Sequence, residues 1–325
     1  LRAQHPKFVG AVAAALASVL LLSLAGPSVA APSYVSGSDT TTTTPPASNA
    51  PDGSQSLRTP RLMAAGDAQG TPYATALVSV RGRSYGICSA AVWKPTVLMT
   101  AAHCVIDDRT GDYIDPSTFS VVTPGTGVAL SGGTVQTASP ARVVRSFVVD
   151  GFRLRGTSVP ADDIAFVVLD RPLAETTFTR LATTVELARW YTDNIPVGAI
   201  GYGFPSPDLR IADVPREAAL PVIRVVQDFR NSSGLAILSA KNNGIDACSG
   251  DSGGPRFVAD PAGILLLGNI AGGSCDGRSG AGVIGFTGMS YRPLANRALE
   301  TAGLPTIPSR PRDLTATRVE ASTTV

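Results

Sequence analysis

Short apolar segments separated by glycine, proline and asparagine predict that the folded part of this chain is all-β. From Tyr73 onward these segments show little helical periodicity and have strand-like length. Many short strands at this spacing are typical of barrels or sandwiches. The predicted strands are 75–81, 84–92, 97–100, 119–122, 141–149, 197–201, 219–227, 235–238, 264–270 and 282–287.

One helix is predicted, over Arg292–Thr301, near the C-terminal end of the folded region. Gly303 and Pro305 follow it and are typical helix terminators. Its apolar residues share one face, which predicts that this face packs against the β-structure. The face comprises Leu294, Ala295, Ala298 and Leu299.

The composition indicates a globular protein without a strong charge. Of 325 residues, 44% are hydrophobic and 16% are charged, and the formal net charge is +2. The length suggests one or two domains. So small a net charge argues against nucleic acid or an anionic surface as partner. Arginine far outnumbers lysine, which favours a bacterial genome rich in G and C.

Residues 1–30 are predicted to be a secretory signal. A basic start is followed by an apolar stretch over 8–24, and Ser28-Val29-Ala30 offers small residues at a cut before Ala31. The alternative is a membrane anchor, but the stretch is shorter than the roughly 20 residues that span a bilayer comfortably. We therefore expect a secreted, extracellular protein that does not contact the membrane once the signal is removed.

Two further segments lie outside the predicted fold. Residues 31–61 are rich in Thr, Pro, Ser and Gly and are predicted to be a disordered propeptide or linker, ahead of a folded domain over 62–304. Residues 305–325 begin with a stiff linker. The remainder resembles the truncated start of a fibronectin type III module, and the alternative is a disordered tail.

The chemistry is predicted from the loop Cys248-Ser249-Gly250-Asp251-Ser252-Gly253-Gly254-Pro255. Glycines crowded around one serine allow tight turns that expose its hydroxyl and aim backbone N–H groups beside it. A plain surface turn is the alternative. Serine needs a base, and beyond the signal the chain has a single histidine, His103. Asp163 opens an apolar strand and is the candidate carboxylate that orients the imidazole.

Three motifs together carry a family resemblance. Thr100-Ala101-Ala102-His103-Cys104, then Asp163-Ile164-Ala165, then the Ser252 loop resemble the trypsin/chymotrypsin family of serine endopeptidases, and the order His, Asp, Ser is diagnostic of it. The resemblance covers roughly residues 62–302. It implies two six-stranded antiparallel Greek-key barrels with the active site in the cleft between them. It also implies polypeptide substrates, protein inhibitors as further partners, a monomer and no cofactor.

The resemblance implies a role for further residues. The amides of Gly250 and Ser252 correspond to the oxyanion hole. Asp246 corresponds to the floor of the primary specificity pocket, with Gly272 and Gly282 as its open walls. An aspartate there favours arginine, and then lysine, before the scissile bond.

The resemblance also implies that the protein is made as a zymogen. A cut after Arg61 would free Leu62, whose ammonium would pair with Asp251. The sequence after the cut departs from the family pattern, because Leu62-Met63-Ala64-Ala65 stands where Ile-Val-Gly-Gly is usual.

A second departure concerns the strand along the pocket. Ile270 stands where the family usually has a serine that helps to hold the catalytic aspartate, and Ala271 stands where an aromatic residue is common. We therefore expect Asp163 to lose one hydrogen bond and the neighbouring subsite to be shallower.

Four cysteines in an exported chain predict two disulfides, with three pairings open from the residues alone. The resemblance implies Cys88–Cys104 and Cys248–Cys275. A zinc site is disfavoured, because one histidine and no Cys-x-x-Cys motif are present. Acids after His103 leave calcium binding as an alternative to a solvated turn. They are Asp107, Asp108, Asp112 and Asp115.

Two other functions remain open at this point. A catalytically weak or silent homologue that acts as a binding module would keep the fold and lose the chemistry. An esterase or transpeptidase would use the same acyl-enzyme on another acceptor.

Overall fold

The computed structural model of the protein describes most of the chain after residue 72. The described residues are 73–81, 84–124, 129–131, 134–136, 139–154, 159–174, 177–203, 215–227, 229–239, 246–260, 263–273 and 283–309. The predicted signal, the propeptide or linker and the fibronectin-like segment after 309 lie outside them.

The first half is a six-stranded antiparallel sheet. Its strands are β1 (Ala74–Arg81), β2 (Ser84–Lys94), β3 (Val97–Thr100), β4 (Phe119–Val122), β7 (Val143–Val148) and β8 (Ala165–Leu169). They lie in the order β4-β1-β2-β3-β8-β7, so that β4 returns to lie beside β1, as in a Greek key. The edge strands β4 and β7 contribute to one apolar core, and the sheet is therefore curled. A separate hairpin joins β5 (Ala129–Ser131) and β6 (Thr134–Gln136).

The second half is a closed arrangement built from two sheets. Its strands are β9 (Arg180–Leu181), β10 (Val197–Gly201), β11 (Arg216–Leu220), β12 (Val222–Val226), β13 (Ala236–Ser239), β14 (Pro255–Asp260), β15 (Gly263–Asn269) and β16 (Ile284–Phe286). The orders are β11-β10-β14-β15-β9 and β12-β13-β16. Only Pro221 separates β11 from β12, so that one bent strand serves both sheets. Proline has no N–H to donate to a β-ladder, and it therefore interrupts the pairing at the bend. Bridges from Gly268 to Thr287 and from Gly272 to Ile284 close the ring.

The predicted fold class is confirmed: the protein is all-β with two curled halves and a C-terminal helix. That helix, α2, spans Arg292–Thr301 as predicted, and its four apolar residues are buried. A second helix, α1 (Thr184–Thr192), was not predicted. Its signal is present in the sequence, because Thr183 and Glu186 form a capping box at its start.

The largest apolar core joins the two halves. It contains Trp93 and Phe166 from the first sheet, Phe257 and Phe286 from the second half, and the buried face of α2. The loops at this seam are therefore held on both sides by packed strands, and they carry the predicted reactive residues.

Candidate active site

His103 and Asp163 are brought together by neighbouring strand ends. β3 pairs with β8 so that Thr100 lies opposite Ala165. A 3-10 turn, Ala102–Cys104, follows β3 and carries His103, and Asp163 lies two residues before β8. Two residues 60 positions apart in the sequence thus meet at one edge of the sheet.

The carboxylate of Asp163 binds the histidine at two points. Its Oδ2 atom lies 2.7 Å from Nδ1 of His103, and its Oδ1 atom accepts the backbone N–H of His103 at 2.9 Å. Burial of the imidazole lowers its pKa, but the charge of Asp163 and the hydrogen bond to it raise the pKa, and the net shift is upward. Asp163 is fully buried, and the imidazole is 27% exposed. The arrangement holds one tautomer and leaves Nε2 as the ring nitrogen available for proton transfer.

Two side chains that the sequence did not single out for this purpose hold the backbone around Asp163. The fully buried Asn269 donates from Nδ2 to the carbonyl of Asp163 at 2.8 Å. Asp162 has a φ of 55°, and its Oδ1 accepts from the N–H of Ser233 at 2.7 Å and the hydroxyl of Tyr291 at 2.8 Å. A left-handed aspartate is uncommon and is stabilised here by these contacts.

The loop that carries Ser252 is an ordered turn before β14, and glycine is needed where φ is positive, at Gly250 (95°) and Gly253 (85°). The N–H groups of Asp251, Gly253 and Gly254 donate to backbone carbonyls of this loop and of Ile270. The N–H groups of Gly250 and Ser252 donate to no residue that the structure describes.

Ser252 and His103 line the same cavity, which has a volume of about 390 Å³. Residues from several separate segments of the chain also line it: Arg81, Ile106, Asp108, Leu154, Val159, Pro160, Ala271, Gly272 and Gly273. A cavity of this size beside the candidate reactive groups is suited to binding a ligand.

The edge strand along this cavity has alternating backbone partners. Ile270 makes two hydrogen bonds with the serine loop. Its N–H donates to the carbonyl of Gly254, and its carbonyl accepts the N–H of Gly253. Gly272 exchanges both of its backbone hydrogen bonds with Ile284. The carbonyl of Ala271 and the backbone groups of Gly273 make no hydrogen bond with the described residues, so that they are open to an added strand.

Asp246 is fully buried, and its Oδ1 accepts the N–H of Ala247 at 2.8 Å. Gly273, one residue beyond the predicted Gly272, lies against this carboxylate: a Cβ on Gly273 would come within 2.8 Å of Oδ1. A Cβ on Gly272 would instead meet Val159 at 2.5 Å. At both positions the backbone lies too close to its neighbours for a Cβ, and the two glycines face different side chains. The other predicted wall, Gly282, lies outside the described residues.

Asp251 is buried directly before the serine. Its Oδ1 accepts the N–H of Gly203 at 2.8 Å, and its Oδ2 accepts the N–H of Cys248 at 2.9 Å. Burial raises its pKa to about 7 in spite of these hydrogen bonds. Leu62, the predicted partner of this carboxylate, lies outside the described residues.

The Cys88–Cys104 disulfide is confirmed, with a Cα–Cα distance of 6.1 Å. It lies beside His103, and its two sulfur atoms and the imidazole are within 4.8 Å of one another. Because both sulfurs are consumed in the disulfide, they supply no thiolate for a metal. Cys248 is also disulfide-bonded, but the predicted partner, Cys275, lies outside the described residues.

Two of the acids after His103 have internal partners. Oδ2 of Asp107 lies 2.5 Å from Nη1 of Arg81, and Asp115 caps a 3-10 turn by accepting from the N–H of Ser117. These contacts fit the interpretation as a turn. Calcium binding by this segment stays an untested alternative.

The sequence model of the trypsin family, described as "Trypsin", matches residues 65–289, which is well over half of the chain. The chain belongs to the trypsin family of serine endopeptidases. Polypeptides are therefore the substrates that its family membership implies.

Several trypsin-family proteases are similar to this chain at low identity. Trypsin-1 of Astacus astacus is 26% identical over 218 residues, covering 65% of this chain and 86% of that protein. Trypsin of Saccharopolyspora erythraea is 24% identical over 199 residues, covering 58% and 78%. Chymotrypsin-like elastase family member 1 of Canis lupus familiaris is 28% identical over 180 residues, covering 54% and 65%.

This trypsin-family protease has short helices in its described part. Neither α1 nor α2, nor any other helix there, has the length and apolar character needed to cross a bilayer.

Proposed function

We propose that this protease cleaves peptide bonds through a Ser252–His103–Asp163 triad and an acyl-enzyme. The observation that carries the proposal is the 2.7 Å contact between Nδ1 of His103 and Oδ2 of Asp163, at the edge of the cavity that Ser252 also lines. A buried carboxylate bound to Nδ1 directs Nε2 toward the cavity as a general base.

The proposed reaction has two acyl-transfer steps. The Oγ atom of Ser252 bonds to the peptide carbonyl carbon, and its proton passes to Nε2 of His103. The imidazolium, stabilised by Asp163, then donates that proton to the leaving amine as the C–N bond breaks. Water adds to the resulting ester, again giving its proton to His103, and the acid product leaves as the Ser252 hydroxyl is restored.

The developing oxyanion would be bound by the amides of Gly250 and Ser252. Support comes from the hydrogen-bond pattern of the loop, in which the amides of Asp251, Gly253 and Gly254 are already used and those of Gly250 and Ser252 are not used by described residues. Donors held in place before the reaction stabilise the transition state without reorganisation.

The proposed preference is for arginine, and then lysine, before the scissile bond. The similar proteases include both trypsins and an elastase, and these names alone do not indicate which residue is preferred before the scissile bond. The support is the buried Asp246, because a buried carboxylate favours a cationic side chain, and Gly273, which lies against it, adds no side chain that would compete for the space. We propose Gly272 and Gly282 as the pocket walls, with Gly273 as a further wall residue beside Asp246.

The test combines labelling with cleavage of a mixed peptide library. A fluorophosphonate is expected to label the chain at Ser252 once it has been cut after Arg61, and cleavages are expected after Arg and then Lys. Ser252→Ala should lose both signals, and Asp246→Ser should keep the labelling while losing the basic preference. A cut chain that takes no label would instead favour a silent homologue. Activity on arginyl esters without cleavage of amides would favour an esterase.

We further propose that the protease is secreted as a zymogen and activated by the cut after Arg61. The buried carboxylate of Asp251 supports this, because an ammonium at Leu62 would supply the positive charge that such a group favours. N-terminal sequencing of active enzyme should begin at Leu62. A start well away from this residue would remove the proposal and leave the triad untouched.

A further inference from the structure

Ser89 of β2 uses all of its polar atoms at the seam between the two halves. It is fully buried. Its N–H donates to the carbonyl of Ser252 at 2.7 Å, and its Oγ donates to the carbonyl of Gly250 at 2.7 Å. The same Oγ accepts the N–H of Tyr202 at 2.8 Å, and the Ser89 carbonyl accepts from Oγ1 of Thr100 at 2.8 Å.

These contacts fix two peptide units of the serine loop at both ends. The peptide unit between Gly250 and Asp251 is held at its carbonyl by Ser89 and at its N–H by Cys248. The unit between Ser252 and Gly253 is held at its carbonyl by Ser89 and at its N–H by Ile270.

The unit between these two is held at one end only. The carbonyl of Asp251 accepts from Gly254, and the N–H of Ser252 donates to no described residue. Because the peptide units on both sides of this unit are fixed and its own carbonyl is bound, the direction of the Ser252 N–H is fixed as well.

We propose that the Ser89 side chain is the positioning residue of the oxyanion hole. This inference rests on the proposed role of the Gly250 and Ser252 amides. Gly250 has a φ of 95°, and its freedom as a glycine would let the peptide units around it rotate. The hydrogen bond from Ser89 to its carbonyl removes that rotation on the C-terminal side of Gly250, and so holds the peptide units that lead to the Ser252 N–H.

A hydroxyl suits this position because it donates and accepts at once. The Gly250 carbonyl needs a donor and the Tyr202 N–H needs an acceptor, and one Oγ serves both. Alanine would take this hydrogen-bond partner away from both backbone groups, which favours rearrangement of the loop. Ser89 touches neither the proposed nucleophile's hydroxyl nor the pocket carboxylate, so that its removal leaves ground-state binding in place.

The test is Ser89→Ala, compared with Thr75→Val as a matched control. Thr75 also donates a buried hydroxyl to a backbone carbonyl, that of Val122 at 2.5 Å, and lies in the adjacent strand β1. We expect kcat of Ser89→Ala to fall by about 10- to 100-fold, less than for complete loss of an oxyanion donor, with KM little changed. Thr75→Val is expected to lower stability and to keep kcat.

A second readout separates transition-state from ground-state binding. A peptidyl-arginine aldehyde adds to Ser252 and places its former carbonyl oxygen in the oxyanion hole, whereas benzamidine occupies only the specificity pocket. Ser89→Ala should weaken the aldehyde by about the same factor as kcat and leave benzamidine unchanged. Ser89→Gly deletes the same hydroxyl and serves if the alanine variant fails to fold.

Unchanged kcat and unchanged aldehyde binding in a folded Ser89 variant would overturn the inference. Equal weakening of aldehyde and benzamidine would also overturn it, because that result indicates general disorder of the site. Loss of the proposed function is distinguishable from both, since the native chain would then show no Ser252-dependent turnover at all.

Discussion

Oδ1 and Oδ2 of Asp163 each contact His103, one at the backbone N–H and the other at Nδ1. The two contacts fix both the position of the turn and the rotation of the ring. The rotation matters for the proposed catalysis, because Nδ1 is occupied by Asp163 and Nε2 is left for proton transfer.

The first prediction concerns pH. Asp163 raises the pKa of His103, so that the imidazole stays protonated, and inactive as a base, to a higher pH than it would alone. Asp163→Asn should shift the acid limb of kcat/KM to lower pH and reduce kcat by about 10³- to 10⁴-fold. The stabilisation of the fold by this ion pair is present below about pH 6.5 and is lost as pH rises through the raised pKa. An unmoved acid limb in Asp163→Asn would contradict the assignment.

The second prediction concerns Asn269, whose amide donates to the carbonyls of Asp163 and Thr100 and accepts the N–H of Phe286. It ties the segments that carry Asp163 and His103 to the second half. Asn269→Leu should lower kcat by about 10- to 100-fold, the order expected for a misplacement of about 1 Å, and should lower the pKa of His103. Proton NMR can follow the titration, since the chain has only two histidines.

Asn296 is the control for this experiment. Asn296 lies on the C-terminal helix α2. Its side-chain amide makes the same kinds of hydrogen bond, donating to the carbonyl of Ile307 and accepting from the N–H of Ile307. Asn296→Leu should cost stability without moving the titration of His103. If both variants leave that titration where it is, Asn269 has only a structural role.

The third prediction concerns Asp251 and stability. Because its pKa is raised to about 7, the native state holds a proton that the unfolded chain releases near pH 4. This contribution is present below about pH 4 and is lost as pH rises through 7, and it amounts to at most about 4 kcal/mol. Urea unfolding from pH 4 to pH 8 should show the loss in the native chain and not in Asp251→Asn. Cleavage that frees an ammonium at Leu62 should lower this pKa and flatten the dependence.

The fourth prediction concerns Arg256 of β14, which is fully buried. Burial lowers its pKa to about 10. One guanidinium nitrogen contacts Oγ of Ser239, whereas Nε and Nη1 have no hydrogen-bond partner among the described residues. Arg256→Met should raise the free energy of unfolding by about 1–3 kcal/mol, since a buried unpaired charge is costly. Arg145→Met, on the exposed face of β7, should have little effect. A clear loss of stability in Arg256→Met would show that the charge has a partner.

The fold class and the candidate reactive residues could be predicted because their signals are local. Strand-length apolar runs and a terminated amphipathic helix require only a few neighbouring residues to be recognised. The order of the His, Asp and Ser motifs along the chain was sufficient to indicate the family. Helix α1 was not predicted although its capping box is present in the sequence, because it is short and lies among segments with the length and composition of strands.

The residues around the reactive groups could not be predicted in the same way. The sequence pointed to Gly272 as a pocket wall, and the structure adds Gly273, which lies against Asp246 and lines the same cavity as Gly272. Ser89 and Asn269 looked like ordinary strand residues, since their partners lie more than 100 positions away.

By itself, the sequence determined which side chains are able to react and in what order they occur, since short motifs encode both. The tertiary structure alone decided which backbone groups point into the cleft and which side chains hold them there. The physical reason is that the orientation of a peptide unit depends on its hydrogen-bond partners, and here those partners are supplied by strands from both halves of the molecule.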